Sequence, residues 1–244
     1  MHTRPTTNHF PLITLAAAAP FSLLLCSALL LAGLAFTGCA SGAQQAGTGG
    51  SPGSSVQATG MPFSESSTVF TILPEESQAR FLIEEIFNGE EKVVVGTTNQ
   101  VSGQIALDLR DPATAAVGPI QINANSLVTD NGFRDRAVRS RILLAGIYEF
   151  ITFTPTAVNG LPKALTVGET VEFTIAGDLT ITTITQPVTL TVTAAAVSES
   201  RLAGQAATTI QRRDFDLVVP SATGVAAVGE EVVLELDFTA VAAE

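Results

Sequence analysis

Tryptophan is absent, the two histidines stand at positions 2 and 9, and the two cysteines at 26 and 39. Each scarcity closes off a chemistry. His2, His9 and Cys26 all precede Cys39, so the remainder of the chain has no histidine and no second thiol. That excludes a Ser-His-Asp or Cys-His apparatus, a histidine-bearing zinc or copper site, histidine-ligated haem, and a disulfide staple. Cations are scarce as well: 12 Lys and Arg stand against 23 Asp and Glu, for a formal charge of −11. Nucleic acid is disfavoured, because its affinity comes mainly from neutralised phosphates. The same balance argues against a domain lying flat on an anionic membrane. Carboxylates alone can run glycoside chemistry or hold calcium. However, Glu84-Glu85, Glu90-Glu91 and Glu230-Glu231 are adjacent pairs near strand ends or turns, where solvated charge is expected, and Asp130 and Asp135 lack the ligand spacing of a calcium loop. No catalytic residue and no metal ligand is assigned, and the chain is not expected to be an enzyme.

What is present begins with an apolar run from Phe10 to Phe36, interrupted by Pro11 and Pro20 and preceded by Arg4. It ends in LAFTGCAS at 34–41, where Thr37 and Gly38 stand before Cys39. This resembles the lipobox of bacterial lipoproteins, with Phe36 where an aliphatic residue is usual. The expected organisation is a signal peptide over 1–38, lipidation of Cys39, a flexible Gly/Ser-rich tether over 39–66, and a folded domain over 67–244. Plain cleavage and an uncleaved anchor are the alternatives, since the run is long enough to span a bilayer. Loss of Arg4 leaves 11 cations against 23 anions, −12. The expected location is outside the cytoplasm, facing periplasm or cell exterior, with the domain held to the membrane by its lipid anchor.

About 180 residues remain for one domain, enough to bury roughly 70% of the unfolded surface and still enclose a cavity. From Val69 onward the chain is rich in Val, Ile, Thr and Phe. Strands are predicted near 68–73, 78–87, 92–109, 117–128, 149–159, 165–182, 187–199, 202–219 and 231–241, with turns that include Asn88-Gly89, Gln186-Pro187 and Gly229. Leu179, Ile181, Val188, Leu190 and Val192 alternate with threonines, and Val232, Leu234, Leu236 and Phe238 with polar or smaller residues, so one face of each strand is dry. Such a sheet avoids exposed edges by closing on itself. The predicted fold is therefore all-β: an antiparallel barrel of about eight strands, with a short helix over 131–143 lying near one mouth. Phe133, Ala137, Ile142 and Leu143 would form the helix's apolar stripe.

Several separated motifs follow one another in an order that resembles the YceI-like family. These are VSGQI at 101–105, NSLVT at 125–129 followed by Asn131, Arg134 and Asp135, YEFITF at 148–153, GDLTI at 177–181, PVTL at 187–190, and Ile210 with Arg212, Asp214 and Phe215. The chain departs from the family pattern at Glu76, Glu149 and Asp216, where histidine, proline and glycine are usual. The resemblance implies a lipocalin-like barrel enclosing an isoprenoid or other long-chain amphiphile, with no catalytic apparatus and no cofactor beyond that lipid. Ligand contacts are then expected from Phe81, Phe87, Leu127, Phe133, Leu143, Phe150, Phe153, Phe173 and Phe215. Arg134, with Arg136, Arg139 and Arg141, would hold an anionic headgroup, or else balance nearby acids on a solvated helix face. The expected partners are a lipophilic small molecule, the membrane through the anchor, and a second copy of the chain as a homodimer. The rival function is a non-catalytic cell-surface structural or interaction domain whose core is filled by its own side chains.

Overall fold

The computed structural model describes residues 67–243, so the signal, Cys39 and the tether lie outside the described residues. The described part is one antiparallel sheet of twelve strands. They are β1 (Thr68–Ile72), β2 (Gln78–Phe87), β3 (Glu90–Thr98), β4 (Val101–Ser102), β5 (Gln104–Leu107), β6 (Ala116–Val117), β7 (Ile120–Asn123), β8 (Phe150–Asn159), β9 (Thr170–Ile181), β10 (Ile184–Ser198), β11 (Arg201–Gln211) and β12 (Val225–Ala242). The count of about eight is thus corrected to twelve. The physical reason is that long strands break where they bend: the stretch read as 92–109 is β3, β4 and β5, and the stretch read as 117–128 is β6, β7 and a 3-10 turn at 124–126.

Those breaks curl the sheet. β7 to β12 pair in succession, and β12 continues into both β2 and β1. At one end of the order β4 pairs with β7; at the other, β5 pairs with β1, and only Gly103 separates β4 from β5. One short segment of chain therefore joins one end of the ladder, β4, to the strand next to its other end, since β5 is followed only by the two-residue β6. The interior face is the dry face expected from the alternation, with Leu179, Ile181, Val192 and Val232 all buried.

Three details differ from expectation for identifiable reasons. Gln186-Pro187 lies inside β10, and the turn falls earlier, at Thr182, whose φ is +55°. β11 joins β10 only from Thr191, so Pro187 stands where the strand is paired on one side and its missing donor leaves no ladder bond open. Gly229 makes no turn; it lies in the irregularity between Val228 and Val232 within β12. The stretch read as a strand over 202–219 stops at Gln211, where Arg212–Phe215 form a 3-10 turn.

The helix is real but composite. α1 spans Gly132–Ala137 and runs directly into a π turn over Val138–Ile142. The Asn131 side chain caps it, accepting from the backbone N–H groups of Phe133 and Arg134. Among the described residues no helix is long and apolar enough to cross a bilayer.

Candidate functional site

Inside the curled sheet are two adjoining hollows of about 230 Å³ and about 90 Å³. At ~30 Å³ per water in the liquid, the larger has room for roughly eight waters, yet its wall offers almost none of the partners a water needs. The wall is built by strand parity. Ala79, Phe81 and Ile83 of β2 stand opposite Leu236, Leu234 and Val232 of β12, which in turn face Ala206, Thr208 and Ile210 of β11. Leu179, Ile181, Val188 and Leu190 supply the facing side. Ile120, Phe153, Leu190, Ala206 and Leu236 border both hollows, so they form a waist between two compartments of one interior.

The larger hollow lies at the end of the sheet where β8 begins and where β2, β9 and β11 finish, and α1 with its π turn covers it. Arg134, Val138 and Ile142 face the hollow at four-residue spacing, joined by Leu127 and Leu143. Several polar groups gather here, whereas Thr208 and the paired Arg80 and Glu235 border the hollow elsewhere. Glu85, two residues beyond Ile83 on the same face of β2, is buried, and its carboxylate receives Arg134 Nη2 at 2.5 Å. The other Arg134 nitrogen reaches Asp130, whose second oxygen takes Lys92 Nζ at 2.5 Å. That lysine hydrogen bond, together with the charge of Arg134, holds the Asp130 carboxyl below its ordinary value. Arg212 also borders the hollow, donating to the carbonyls of Leu217 at 2.7 Å and Gly229 at 3.2 Å and to Glu230 at 2.5 Å. It thereby braces the 216–224 loop against β12.

The expected contact residues divide. Phe81, Leu127, Arg134 and Leu143 line the larger hollow, Phe173 the smaller, and Phe153 both. Phe87, Phe133, Phe150 and Phe215 line neither. Phe215 is buried in the apolar core, whereas Phe133 is 85% exposed, so of the stripe expected through Phe133, Ala137, Ile142 and Leu143 the last two face the hollow, and Arg134 and Val138 take the place of Phe133 and Ala137. One residue along a helix is about a 100° rotation, enough to turn Phe133 from the interior to solvent. Phe87 and Phe150, at 37% and 42% exposed, lie near the rim. Glu85 is not the solvated strand-end charge expected of it; the alternation Ala79, Phe81, Ile83, Glu85 is the signal that points it inward. Arg139 donates to the Leu127 carbonyl at 3.1 Å, holding the covering segment in place. Among the described residues no cluster of His, Cys, Asp and Glu could hold a metal ion.

Comparison with known proteins matches the YceI-like domain to residues 70–240. A curated relative, UPF0312 protein YE1254 of Yersinia enterocolitica, is 33% identical over 111 residues, 45% of this chain and 49% of that protein. The chain thus matches about half the length of that relative. Among solved structures, a polyisoprenoid binding domain from Saccharophagus degradans implicated in plant cell wall breakdown superposes with a TM-score of 0.56 at 15% identity, covering 72% of this chain and 99% of its own. BcnA of Burkholderia cenocepacia gives 0.55 at 19% identity, with 69% and 98% covered. A Campylobacter jejuni YCEI protein gives 0.51 at 19%, with 61% and 85% covered. At these identities the likeness is one of fold.

Proposed function

Since the chain belongs to the YceI-like domain family, we propose that it binds a lipophilic molecule of isoprenoid, quinone or fatty-acid type in the sheet interior and sequesters or carries it at the cell envelope. The observation that carries this reading is the pair of hollows walled almost wholly by Phe, Leu, Ile, Val and Ala. These hollows favour that reading over a structural domain whose interior is packed solid by its own side chains. The Saccharophagus neighbour, a polyisoprenoid binding domain, supports the same ligand class. Together the hollows enclose about ten methylene-sized groups, which is worth ~8 kcal/mol against water at about 0.8 kcal/mol per methylene. A longer chain keeps its remainder, and its headgroup, at the covered end beside Arg134. Exchange with a bilayer gains much less, because lipid is equally apolar, so the contacts at that end set selectivity. The N-terminal lipobox-like segment supports an exported, membrane-anchored lipoprotein modified at Cys39.

The test is organic extraction of the full chain after purification without harsh detergent, followed by mass spectrometry. Near-stoichiometric recovery of one apolar compound class is expected. A folded chain that yields no such compound and takes up no fluorescent fatty acid overturns the reading.

A further inference from the structure

Large apolar side chains are exposed along one short segment at the covered end. Phe133 is 85% exposed, Ile147 76%, Leu144 41% and Phe150 42%, four large apolar side chains within eighteen residues. Leu144 holds a left-handed φ of +48°, a conformation that costs a branched side chain energy, and it is still half-exposed. Val218, 73% exposed, stands between Leu217 and Val219, which both line the larger hollow, so it belongs to the same end. Elsewhere the exposed large apolar residues are Ile86, Phe87, Val93, Val95 and Val128, on and beside the β2–β3 hairpin, and Val167 and Val197 at the opposite end.

The charge there also differs. Residues 131–150 hold four arginines against Asp135 and Glu149, in a chain that is otherwise strongly acidic. Asp135 accepts from the Thr129 backbone N–H and hydroxyl, and Glu149 from the Asn123 amide. Arg134 is committed to Glu85 and Asp130, and Arg139 to the Leu127 carbonyl. Arg136 and Arg141 are exposed and have no ion-pair partner among the described residues. A net charge of −11 repels an anionic surface at long range, but beyond ~8 Å physiological salt screens it, so the local pattern decides close contact.

We propose that the outer face of residues 133–150 is a docking surface for an anionic lipid bilayer. Phe133, Leu144, Ile147 and Phe150 enter the headgroup and upper acyl region while Arg136 and Arg141 meet lipid phosphates. The inner face of the same segment contributes Arg134, Val138, Ile142 and Leu143 to the larger hollow. Docking therefore sets the covered end of the interior against the membrane, separated from it by a single layer of chain. This goes beyond the ligand reading and does not require the interior to be occupied.

Because the chain has no tryptophan, Ile147→Trp creates a single reporter, and Val197→Trp at the far end of the sheet gives its control. The full chain is mixed with phosphatidylcholine vesicles, with and without phosphatidylglycerol, carrying brominated acyl chains. We expect bromine quenching severalfold stronger at position 147 than at 197, and only with the anionic lipid. In the reporter background, Arg136→Ala with Arg141→Ala should lower the docked-to-undocked ratio roughly thirtyfold, at about 1 kcal/mol per arginine. Equal quenching at both positions, or quenching at 147 indifferent to phosphatidylglycerol and to the two arginines, overturns the proposal. So does shielding of the 147 reporter from aqueous iodide before lipid is added, since a second copy or the N-terminal region would then already cover the face. Failure here leaves the extraction result untouched, so the two readings fail separately.

Discussion

Glu85 shows what a single side chain can demand of a fold. It continues the inward series of β2, and its side chain is only 5% exposed beside a wall of Phe, Ile and Leu. A carboxylate so placed needs a cation, and Arg134 supplies it from the covering helix. The pair therefore ties the cover to the sheet. Removing one partner leaves a buried charge unpaired, so Arg134→Met should destabilise the chain by about 3 kcal/mol. Adding Glu85→Leu removes the orphaned charge and should restore most of that loss, because an apolar pair of similar volume replaces it. Urea unfolding of the two variants checks this: equal destabilisation by the single and the double change would show that the ion pair is not what holds the cover down.

At the scale of elements, two strand glycines carry phenylalanine rings, and they predict different behaviour. A Cβ on Gly177 of β9 would lie 2.6 Å from the Thr154 carbonyl oxygen and 2.6 Å from the Phe153 ring. Backbone cannot withdraw, so Gly177→Ala should cost about 2–3 kcal/mol and lower Tm by roughly 4–12 °C for a domain of this size. For Gly96 of β3, the atoms nearest an added Cβ all belong to the Phe81 ring. Phe81 borders the larger hollow and can swing into it, so Gly96→Ala should cost about 1 kcal/mol or less while shrinking the enclosed space. Thermal melts and uptake of a fluorescent fatty acid separate the two. If Gly96→Ala proves as destabilising as Gly177→Ala, the ring has no room to move. The same elements show what the sequence reveals and what it hides. Period-two alternation located the dry faces of β9, β10 and most of β12 residue by residue, but at the end of β12 Thr239, on the other face, is buried against Ser77. Pro187 lies inside a strand rather than at a break because whether a proline is tolerated depends on which neighbour strand arrives where, a matter of sheet topology. Phe133 was misplaced because a helix face cannot be fixed from apolar content when the series turned inward begins with an arginine.

For the molecule as a whole, the curled sheet matters because it makes two hollows into one interior divided by a waist. Among the five side chains that border both, Ala206 is by far the smallest, and its β12 partner Leu236 borders both as well. A chain that threads from the larger to the smaller hollow must pass that point. The room beyond it, about 90 Å³, corresponds to roughly three methylene groups. Ala206→Phe should close the waist with its ring laid into the smaller hollow, and leave most of the larger hollow, the Glu85–Arg134 pair and the exposed face of residues 133–150 in place. Ligands long enough to cross should then lose up to ~2.4 kcal/mol, about fiftyfold in Kd, at 0.8 kcal/mol per methylene, while ligands short enough to stay in the larger hollow keep their affinity. Titration of the full-length variant with a homologous series of saturated fatty acids reads this directly. In the unsubstituted chain affinity should rise with each carbon until both hollows are filled, and in the variant the rise should stop about three carbons earlier. A plateau at the same chain length in both would mean that bound chains never cross the waist and that the smaller hollow is a packing defect of the core.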